Sequence, residues 1–277
     1  MPDKQTIAVT GATGRLGRLL RLVWSAEPPA GMQPLWLVRR MSGAPDEMVV
    51  DLASSAPVLP RNCIILHLAG TVAPSREMSD HVALARAALD LAIRSEARHL
   101  FFASTAAVYG KGEWAHDENE EPAPVTAYGH MKLAAEKVVS RPWTTCLRIG
   151  NVAGADAILG SKAERRVLDP VPGTDAGPVR SYIGPRTLVR VLEQLARMVA
   201  TGVMPPPILN IAQAPPVGMA ELLRATGQPF EWGPDNPAVL PRVELATERL
   251  RTLLTDLPSA SADGLVAERV SLPNWQP

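Results

Sequence analysis

The feature that most constrains the fold is a glycine-rich segment near the start of the chain. A short apolar run at residues 6–9 leads directly into Thr10-Gly-Ala-Thr-Gly-Arg-Leu-Gly17, and residues 18–24 follow with helical spacing of their apolar side chains. Strand, glycine loop and helix in this order are the setting of a dinucleotide site, where the backbone approaches a pyrophosphate and the helix N-terminus offers free N–H groups. An ordinary glycine turn is the alternative, but the strand before the loop and the helix after it favour nucleotide binding.

The next predicted strand ends in two arginines. Residues 34–38 are apolar, and Arg39 and Arg40 follow them directly. In dinucleotide folds an acidic residue near this strand end binds the ribose 2′-hydroxyl, whereas arginine accommodates a 2′-phosphate. The acid is missing, so we predict a preference for NADP, with NAD as the alternative; the arginines could also be solvated surface charges. Asp51, after a third apolar run, could cap the next element or bind the adenine end.

Apolar runs alternate with helical stretches through the first two thirds of the chain. Further strands are predicted at residues 62–66, 99–103, 143–149 and 208–211, and helices at 79–95, 126–140 and 186–200. This alternation predicts a parallel sheet with right-handed crossovers, and the near-continuous apolar runs suit strands buried on both faces. We therefore expect an α/β protein with a Rossmann-like, doubly wound parallel sheet.

The chain divides into two predicted regions. Residues 1–154 form the dinucleotide-binding Rossmann domain, and residues 155–277 a mixed region. That region holds a small, mostly C-terminal substrate-binding subdomain, while about 182–214 return to the Rossmann core. The prolines and glycines of residues 155–181 predict irregular structure. Two helices are expected near 218–226 and 244–255.

A tyrosine and a lysine one helical turn apart follow a polar, proline-punctuated loop. Tyr128 and Lys132 lie on one face of a helix for which Thr126 is a suitable N-cap. A fixed cation lowers the pKa of a nearby phenol, which makes it a usable general acid or base. The spacing alone is common by chance. Thr105 ends the preceding strand, where ligands bind in a doubly wound sheet, although its hydroxyl could equally cap a turn.

Composition excludes several classes of function. Lysine plus arginine and aspartate plus glutamate both number 28, so the chain has no basic field for nucleic acid or for a membrane surface. Mean hydropathy is +0.02, and no apolar run approaches the ~20 residues of a membrane helix. The N-terminus lacks the pattern of a signal peptide, which predicts a cytoplasmic protein.

Cys63 and Cys146 fall in apolar strands that we expect not to be neighbours, and the histidines lack metal-ligand spacing. The expected partner is a small molecule, and no metal site is predicted. The acidic residues of the loop before Tyr128 are predicted to be a solvated run; they are Asp117, Glu118, Glu120 and Glu121.

Six motifs occur together in a fixed order over roughly residues 6–215. They are Thr10-Gly-Ala-Thr-Gly-Arg-Leu-Gly17, His67-Leu-Ala-Gly70, Ser104-Thr-Ala-Ala-Val-Tyr-Gly110, Tyr128 with Lys132, Leu147-Arg-Ile-Gly-Asn-Val-Ala-Gly154, and Leu209-Asn-Ile211. In this the chain resembles the extended short-chain dehydrogenases/reductases, a group that includes NAD-dependent nucleotide-sugar epimerases and dehydratases. The resemblance implies a homodimer that packs the helices near 79–95 and 126–140 against their mates.

The resemblance also implies roles for individual residues. Tyr128 would be the general acid/base, Lys132 would bind the nicotinamide ribose and lower the pKa of Tyr128, and Thr105 would orient the substrate oxygen. The residues expected to bind the dinucleotide, besides Tyr128 and Lys132, are Gly11, Thr13, Gly14, Arg15, Leu16, Gly17, Arg39, Arg40, Asp51, Leu68, Ala69 and Gly70. Those expected to face the substrate, besides Thr105, are Thr71, Ala106, Asn151 and Arg180.

The sequence departs from the family pattern at three places. Ala106 and Ala107 stand where dehydratases of the family carry an Asp-Glu pair, which argues against elimination of water by that route. The link after Asn151 is short and rich in proline, which argues against a large nucleotide-sugar. An aspartate that often follows the Arg180-Ser-Tyr-Ile183 stretch is replaced by Gly184.

Two functions follow from these observations. The first is an NAD(P)-dependent oxidoreductase or epimerase acting on a carbonyl, alcohol or sugar, with proton transfer by Tyr128. The second is a dinucleotide-binding sensor or regulatory protein that keeps the fold without chemistry. Retention of Thr105, Tyr128 and Lys132 favours the enzyme, because a binding protein does not need the tyrosine.

Overall fold

A parallel sheet forms the centre of the molecule. The computed structural model describes residues 4–52, 57–70, 79–160, 166–174 and 176–272. Seven strands lie in the order β10-β6-β5-β4-β1-β2-β3, and every neighbouring pair is parallel. They are β1 (Gln5–Thr10), β2 (Met32–Val38), β3 (Glu47–Val49), β4 (Ile64–His67), β5 (His99–Thr105), β6 (Thr144–Ile149) and β10 (Ile208–Ile211). The chain order reverses between β1 and β4, which confirms the predicted doubly wound, Rossmann-like sheet.

Helices cover both faces of this sheet. Leu19 of α1 (Arg15–Ala26) and Leu188 of α4 (Pro185–Ala200) belong to the core on one face. On the other face the core includes Leu89 of α2 (Ser79–Arg94) and Val139 of α3 (Ala127–Val139). The strands are therefore buried from both sides, as their continuous apolar runs predict.

The C-terminal part adds two small sheets and three short helices. One sheet joins β11 (Gln213–Gly218), β9 (Val179–Ile183) and β13 (Arg242–Val243), with β7 (Asn151–Val152) paired to β9; the other joins β8 (Arg166–Leu168) to β12 (Phe230–Trp232). The helices are α5 (Met219–Ala225), α6 (Glu248–Leu253) and α7 (Ala262–Val270). The two predicted helices are present in shortened form as α5 and α6. The prediction that residues 155–181 are irregular is wrong at β8 and at the start of β9, because these strands form only by pairing with residues far along the chain.

Both cysteines are buried and free. Cys63 directly precedes β4 and Cys146 lies in β6, and β5 separates these two strands. Over the described ranges, no helix is long and apolar enough to span a membrane. Among the same residues, no group of three or more histidine, cysteine, aspartate or glutamate side chains is arranged to hold a metal ion.

Helix α4 receives its N-terminal cap from a distant helix. Its N-cap position is Gly184, which has no side chain to accept the free N–H groups. Glu268 of α7 takes this role, because its carboxylate accepts hydrogen bonds from the Thr187 backbone N–H at 3.0 Å and from the Thr187 hydroxyl at 2.6 Å. A carboxylate at this position also interacts favourably with the positive end of the helix dipole. The aspartate that the family pattern leads one to expect at Gly184 is thus replaced by a carboxylate 84 residues later.

Moving this carboxylate back to position 184 tests the compensation. Glu268→Ala is expected to lower the free energy of unfolding by about 1–2 kcal/mol, as loss of a helix N-cap does. Gly184→Asp alone should not stabilise the protein, because a side chain there collides with Glu268. The double variant Gly184→Asp/Glu268→Ala should recover most of the loss in urea denaturation. A double variant no more stable than Glu268→Ala would contradict the capping role.

Candidate functional site

A cavity of about 510 Å³ lies where the carboxyl ends of β1, β2 and β4 meet, at the point where the strand order reverses. Ligands of doubly wound sheets bind at this place. Eight of the residues predicted to bind a dinucleotide line the cavity: Gly11, Thr13, Gly14, Arg39, Asp51, Leu68, Ala69 and Gly70. The structure therefore brings together segments that are up to 59 residues apart.

The glycine loop suits an anionic group. Gly11 has φ +68°, and a Cβ on it would lie 2.6 Å from the backbone nitrogen of Ala69, so only glycine fits. Helix α1 begins after Gly14, which offers no capping side chain, and its first turn holds no acid. Its first N–H groups and the positive end of its dipole are thus available to a pyrophosphate.

Four other predicted binding residues lie beside the cavity rather than on its described wall. The Arg15 Nη1 atom donates to the carbonyl of Ala155 at 3.1 Å, and Leu16 packs against the core. Gly17 allows the start of α1 to pack tightly against the Gly11–Ala12 backbone. Arg40 is exposed. These residues shape the loop or stand near its entrance.

Tyr128 and Lys132 occupy the first two turns of α3, as predicted. The Thr126 hydroxyl caps this helix by accepting from the Gly129 N–H at 3.0 Å. Lys132 is buried; its Nζ donates to the carbonyl of Ala103 at 2.5 Å and lies 4.5 Å from the centroid of the Phe102 ring. Burial lowers the pKa of Lys132 to about 8.

Burial also raises the pKa of Tyr128 above its ordinary value. Desolvation disfavours the phenolate, and the Lys132 ammonium donates to the Ala103 carbonyl in the structure. The effect of Lys132 on the pKa of Tyr128 stays a prediction. A protonated Tyr128 at neutral pH is suited to donate a proton.

A second, smaller cavity of about 160 Å³ gathers the residues predicted to face the substrate. Thr105, Ala106, Asn151 and Arg180 all line it. Thr71 lies outside the described residues. The Thr105 side-chain oxygen accepts from the Ala107 N–H at 3.2 Å, so the hydroxyl proton can still be donated to a ligand.

Arg180 is a half-buried cation in this cavity. Its Nη1 atom donates to the carbonyl of Val179 at 2.8 Å, and no carboxylate of the described residues forms an ion pair with it. Burial lowers its pKa from a very high ordinary value, and guanidinium remains charged at neutral pH. An anionic ligand group would provide the missing partner.

Two buried histidines near Tyr128 and Lys132 were not predicted as site residues. His81 lines the larger cavity and packs edge-on against Tyr128, with ring centroids 5.9 Å apart and planes at 76°. The His67 Nδ1 atom shares a 2.8 Å hydrogen bond with the Thr10 hydroxyl, and its ring stacks on Phe102. Burial lowers the pKa of His67 to about 3, so it is neutral. His67 belongs to a motif already noted, whereas the spacing of α2 gave no signal for His81.

A buried ion pair lies behind Lys132. Glu136, one turn further along α3, accepts from Arg148 Nε at 3.2 Å and from Arg148 Nη2 at 2.9 Å, and it also accepts from the Ser104 hydroxyl. Both charged side chains are almost fully buried. Arg148 lies on β6 and Glu136 on α3, so no local spacing rule indicates this pair.

The prediction of a solvated acidic run before Tyr128 is wrong for Glu118. This residue is buried, and its carboxylate accepts from the Asn210 backbone N–H at 3.0 Å and lies 3.6 Å from Arg249 Nε. These partners are 92 and 131 residues away, so the local sequence does not show them.

Comparison with known proteins bears on the family and the fold of the chain. Residues 7–170 match the model of the NAD dependent epimerase/dehydratase family. No curated protein matches the chain. Among solved structures, UDP-N-acetylglucosamine 4-epimerase from Bacillus cereus is 18% identical, with 98% of this chain and 100% of that chain covered and a TM-score of 0.74.

Two further structures are similar over comparable lengths. MoeE5 in complex with UDP-glucose and NAD is 20% identical, with 96% and 99% covered and a TM-score of 0.75. TunA, an NAD dependent NDP-hexosamine 5,6-dehydratase, is 17% identical, with 99% and 98% covered and a TM-score of 0.76. At these identities the likeness shows a common fold.

Proposed function

The chain belongs to the NAD dependent epimerase/dehydratase family, and from this premise we propose that it is an NADP-preferring oxidoreductase or epimerase acting on a carbonyl or secondary alcohol. One observation carries the proposal. Thr105 lines the smaller cavity, and Tyr128 contacts His81 of the larger one, which supports a role for both residues between a bound nucleotide and a substrate. Lys132 is buried one turn from Tyr128.

The chain supplies positioning and proton transfer for this reaction. A bound nicotinamide dinucleotide would provide hydride exchange at its C4 atom. Thr105 donates a hydrogen bond to the substrate oxygen, and Tyr128 delivers the proton to that oxygen during reduction. Tyr128 carries its proton at neutral pH, as a phenol ordinarily does, so it can act as the general acid. Lys132 adds positive charge, which favours the phenolate left after the transfer.

The smaller cavity supports a substrate that carries an anionic group. Arg180 is the cation there, while Ala106 and Ala107 leave the wall without the carboxylates of a dehydratase. A carbonyl, alcohol or sugar substrate would place its reacting oxygen at Thr105 and its anion at Arg180. MoeE5 was solved with UDP-glucuronic acid as well as UDP-glucose, so the fold accommodates anionic sugar nucleotides.

Deuterium transfer tests the reaction class. The protein is incubated with candidate oxo acids and sugar nucleotides together with NADPH deuterated at C4, and the products are weighed by mass spectrometry. A product heavier by one mass unit supports the proposal. An epimerase regenerates its own bound cofactor and takes no label from NADPH. Tight cofactor binding with neither deuterium transfer to, nor epimerisation of, any candidate substrate would favour the sensor function instead.

Arg39 provides a separate test of the cofactor. It lines the larger cavity, and no carboxylate among the described residues forms an ion pair with it. A charge-assisted hydrogen bond to a phosphate contributes about 1.5–3 kcal/mol. We expect Arg39→Ala to weaken NADPH binding by roughly tenfold to a hundredfold, by calorimetry, and to leave NADH binding nearly unchanged. Related structures contain NAD. Equal affinity of the wild-type chain for NADPH and NADH would contradict the proposed NADP preference.

We further propose a cytoplasmic homodimer in which α2 and α3 pack against their mates. These helices lie side by side on one face of the sheet, and Ile93 of α2 is 53% exposed. An exposed branched apolar side chain there is consistent with a helical interface. Sedimentation of the wild-type chain and of Ile93→Glu would distinguish a dimer from a monomer.

A further inference from the structure

A buried carboxylate fixes the segment that carries Arg39, which lines the larger cavity, and Arg40 next to it. Glu47 Oε2 accepts from the Ser42 backbone N–H at 2.7 Å. Glu47 Oε1 accepts from the Ser42 hydroxyl at 2.8 Å and from Arg21 Nη1 at 2.7 Å. The Glu47 side chain has no exposed surface, although Ser42 is exposed. We call Glu47, Ser42 and Arg21 the carboxylate latch.

The latch lies between two stretches that both line the cavity. Arg39 lines the cavity and precedes Ser42 in the chain, and Val50 and Asp51 line the cavity and follow Glu47. The Trp36 N–H donates to the carbonyl of Asp46 at 2.8 Å, which closes the base of the same segment. Residues 39–46 are therefore held at both ends, and the direction in which they leave β2 is set by the latch.

Arg21 ties the segment to helix α1. Its guanidinium lies 5.0 Å from the centroid of the Trp36 ring, and its Nε and Nη2 atoms are buried without a hydrogen-bond partner among the described residues. Glu47 and the indole face thus compensate its charge. The Ser42 N–H, then the Ser42 hydroxyl, and also Arg21 lower the pKa of Glu47 to about 2. The Glu47 carboxylate stays ionised, but both of its oxygens already accept hydrogen bonds. It therefore does not oppose the binding of an anion at Arg39.

We propose that the carboxylate latch determines the choice between NADP and NAD by holding Arg39 at the cavity, which makes Glu47 a positioning residue for the 2′-phosphate. This rests on the NADP preference proposed above. A segment that is already fixed loses little conformational freedom when an anion binds, whereas a released segment must be ordered at the expense of affinity. Arg40 follows Arg39 in the same segment, and both side chains are exposed.

Binding measurements with matched variants test the proposal. Dissociation constants for NADPH and NADH are measured by cofactor fluorescence on the wild-type chain, Glu47→Gln, Ser42→Ala and Glu193→Gln. Glu193 is the control because it also accepts a hydrogen bond from α1, through Trp24, and the substitution removes the same charge. We expect Glu47→Gln to weaken NADPH binding by about tenfold with NADH binding changed less than about twofold. Ser42→Ala should act in the same direction with a smaller effect, and Glu193→Gln should leave the preference intact.

The outcomes separate the latch from the cofactor preference. If the wild-type chain prefers NADPH and Glu47→Gln keeps that preference, the latch proposal is overturned. An equal loss of both cofactors in Glu47→Gln and Ser42→Ala would show a general structural role and would also overturn it. If the wild-type chain binds NADH as tightly as NADPH, the proposed NADP preference fails first, and the latch loses its basis with it.

Discussion

Replacing Tyr128 with phenylalanine is expected to lower kcat by about 10²–10⁴-fold, the usual contribution of a positioned general acid or base. The substitution removes only the phenolic oxygen, so the ring should keep its edge-on contact with His81. Cofactor affinity should therefore change little. The measurement is steady-state kinetics on whichever substrate accepts deuterium from labelled NADPH, together with the cofactor dissociation constant.

Tyr109→Phe is the matched control for this experiment. Its hydroxyl donates to Asn210 Oδ1 at 2.8 Å, away from both cavities, and burial raises its pKa as it does for Tyr128. We expect a loss of about 1 kcal/mol in the free energy of unfolding and nearly unchanged kcat. Full turnover by Tyr128→Phe, or an equal loss of kcat in both variants, would mean that Tyr128 does not transfer the proton.

The main sheet and the glycine loop could be predicted because their signals are local. Strands buried on both faces give continuous apolar runs, as at β4 and β5, and a dinucleotide loop needs glycine where a Cβ would strike the neighbouring backbone, as at Gly11. Tyr128 and Lys132 could be paired because one helix carries both. These features depend on residues a few positions apart.

The rest depends on contacts that are distant along the chain. Strands β8 and β12 have three residues each and form only by pairing with one another across more than 60 residues. Glu118 is buried because its partner Asn210 comes from β10. The sign of the Tyr128 pKa shift depends on how deeply α3 is buried, which no spacing rule gives. Sequence motifs therefore selected the candidate site residues but not the charged residues packed behind them.

Breaking the ion pair behind Lys132 is expected to have the largest effect on stability. Glu136→Leu leaves Arg148 buried without its carboxylate, and removing one partner of a buried pair costs about 3–5 kcal/mol. Arg148 cannot discharge readily, because a guanidinium keeps its charge inside proteins. Its Nη1 atom already lacks a hydrogen-bond partner among the described residues. The prediction is measured by urea denaturation.

A double-mutant cycle separates the ion pair from the volume change. Glu136→Leu/Arg148→Met replaces both charges with apolar groups of similar size and should recover most of the stability lost in Glu136→Leu. Arg61→Ala removes an exposed partner of Glu96 and should cost at most about 1 kcal/mol, which controls for the loss of any ion pair. If Arg61→Ala were as damaging as Glu136→Leu, burial would not be the cause.

The same double variant tests whether the Glu136–Arg148 pair also serves to keep Lys132 charged. Burial lowers the pKa of Lys132 to about 8, and the charge of Glu136 opposes that shift. Without Glu136 the pKa of Lys132 should fall further, and more of the lysine would be neutral at pH 7. We expect the double variant to regain stability without regaining turnover, and its activity to rise as pH is lowered and Lys132 is protonated again. Recovery of both stability and kcat at pH 7 would instead mean that Glu136 serves the fold alone.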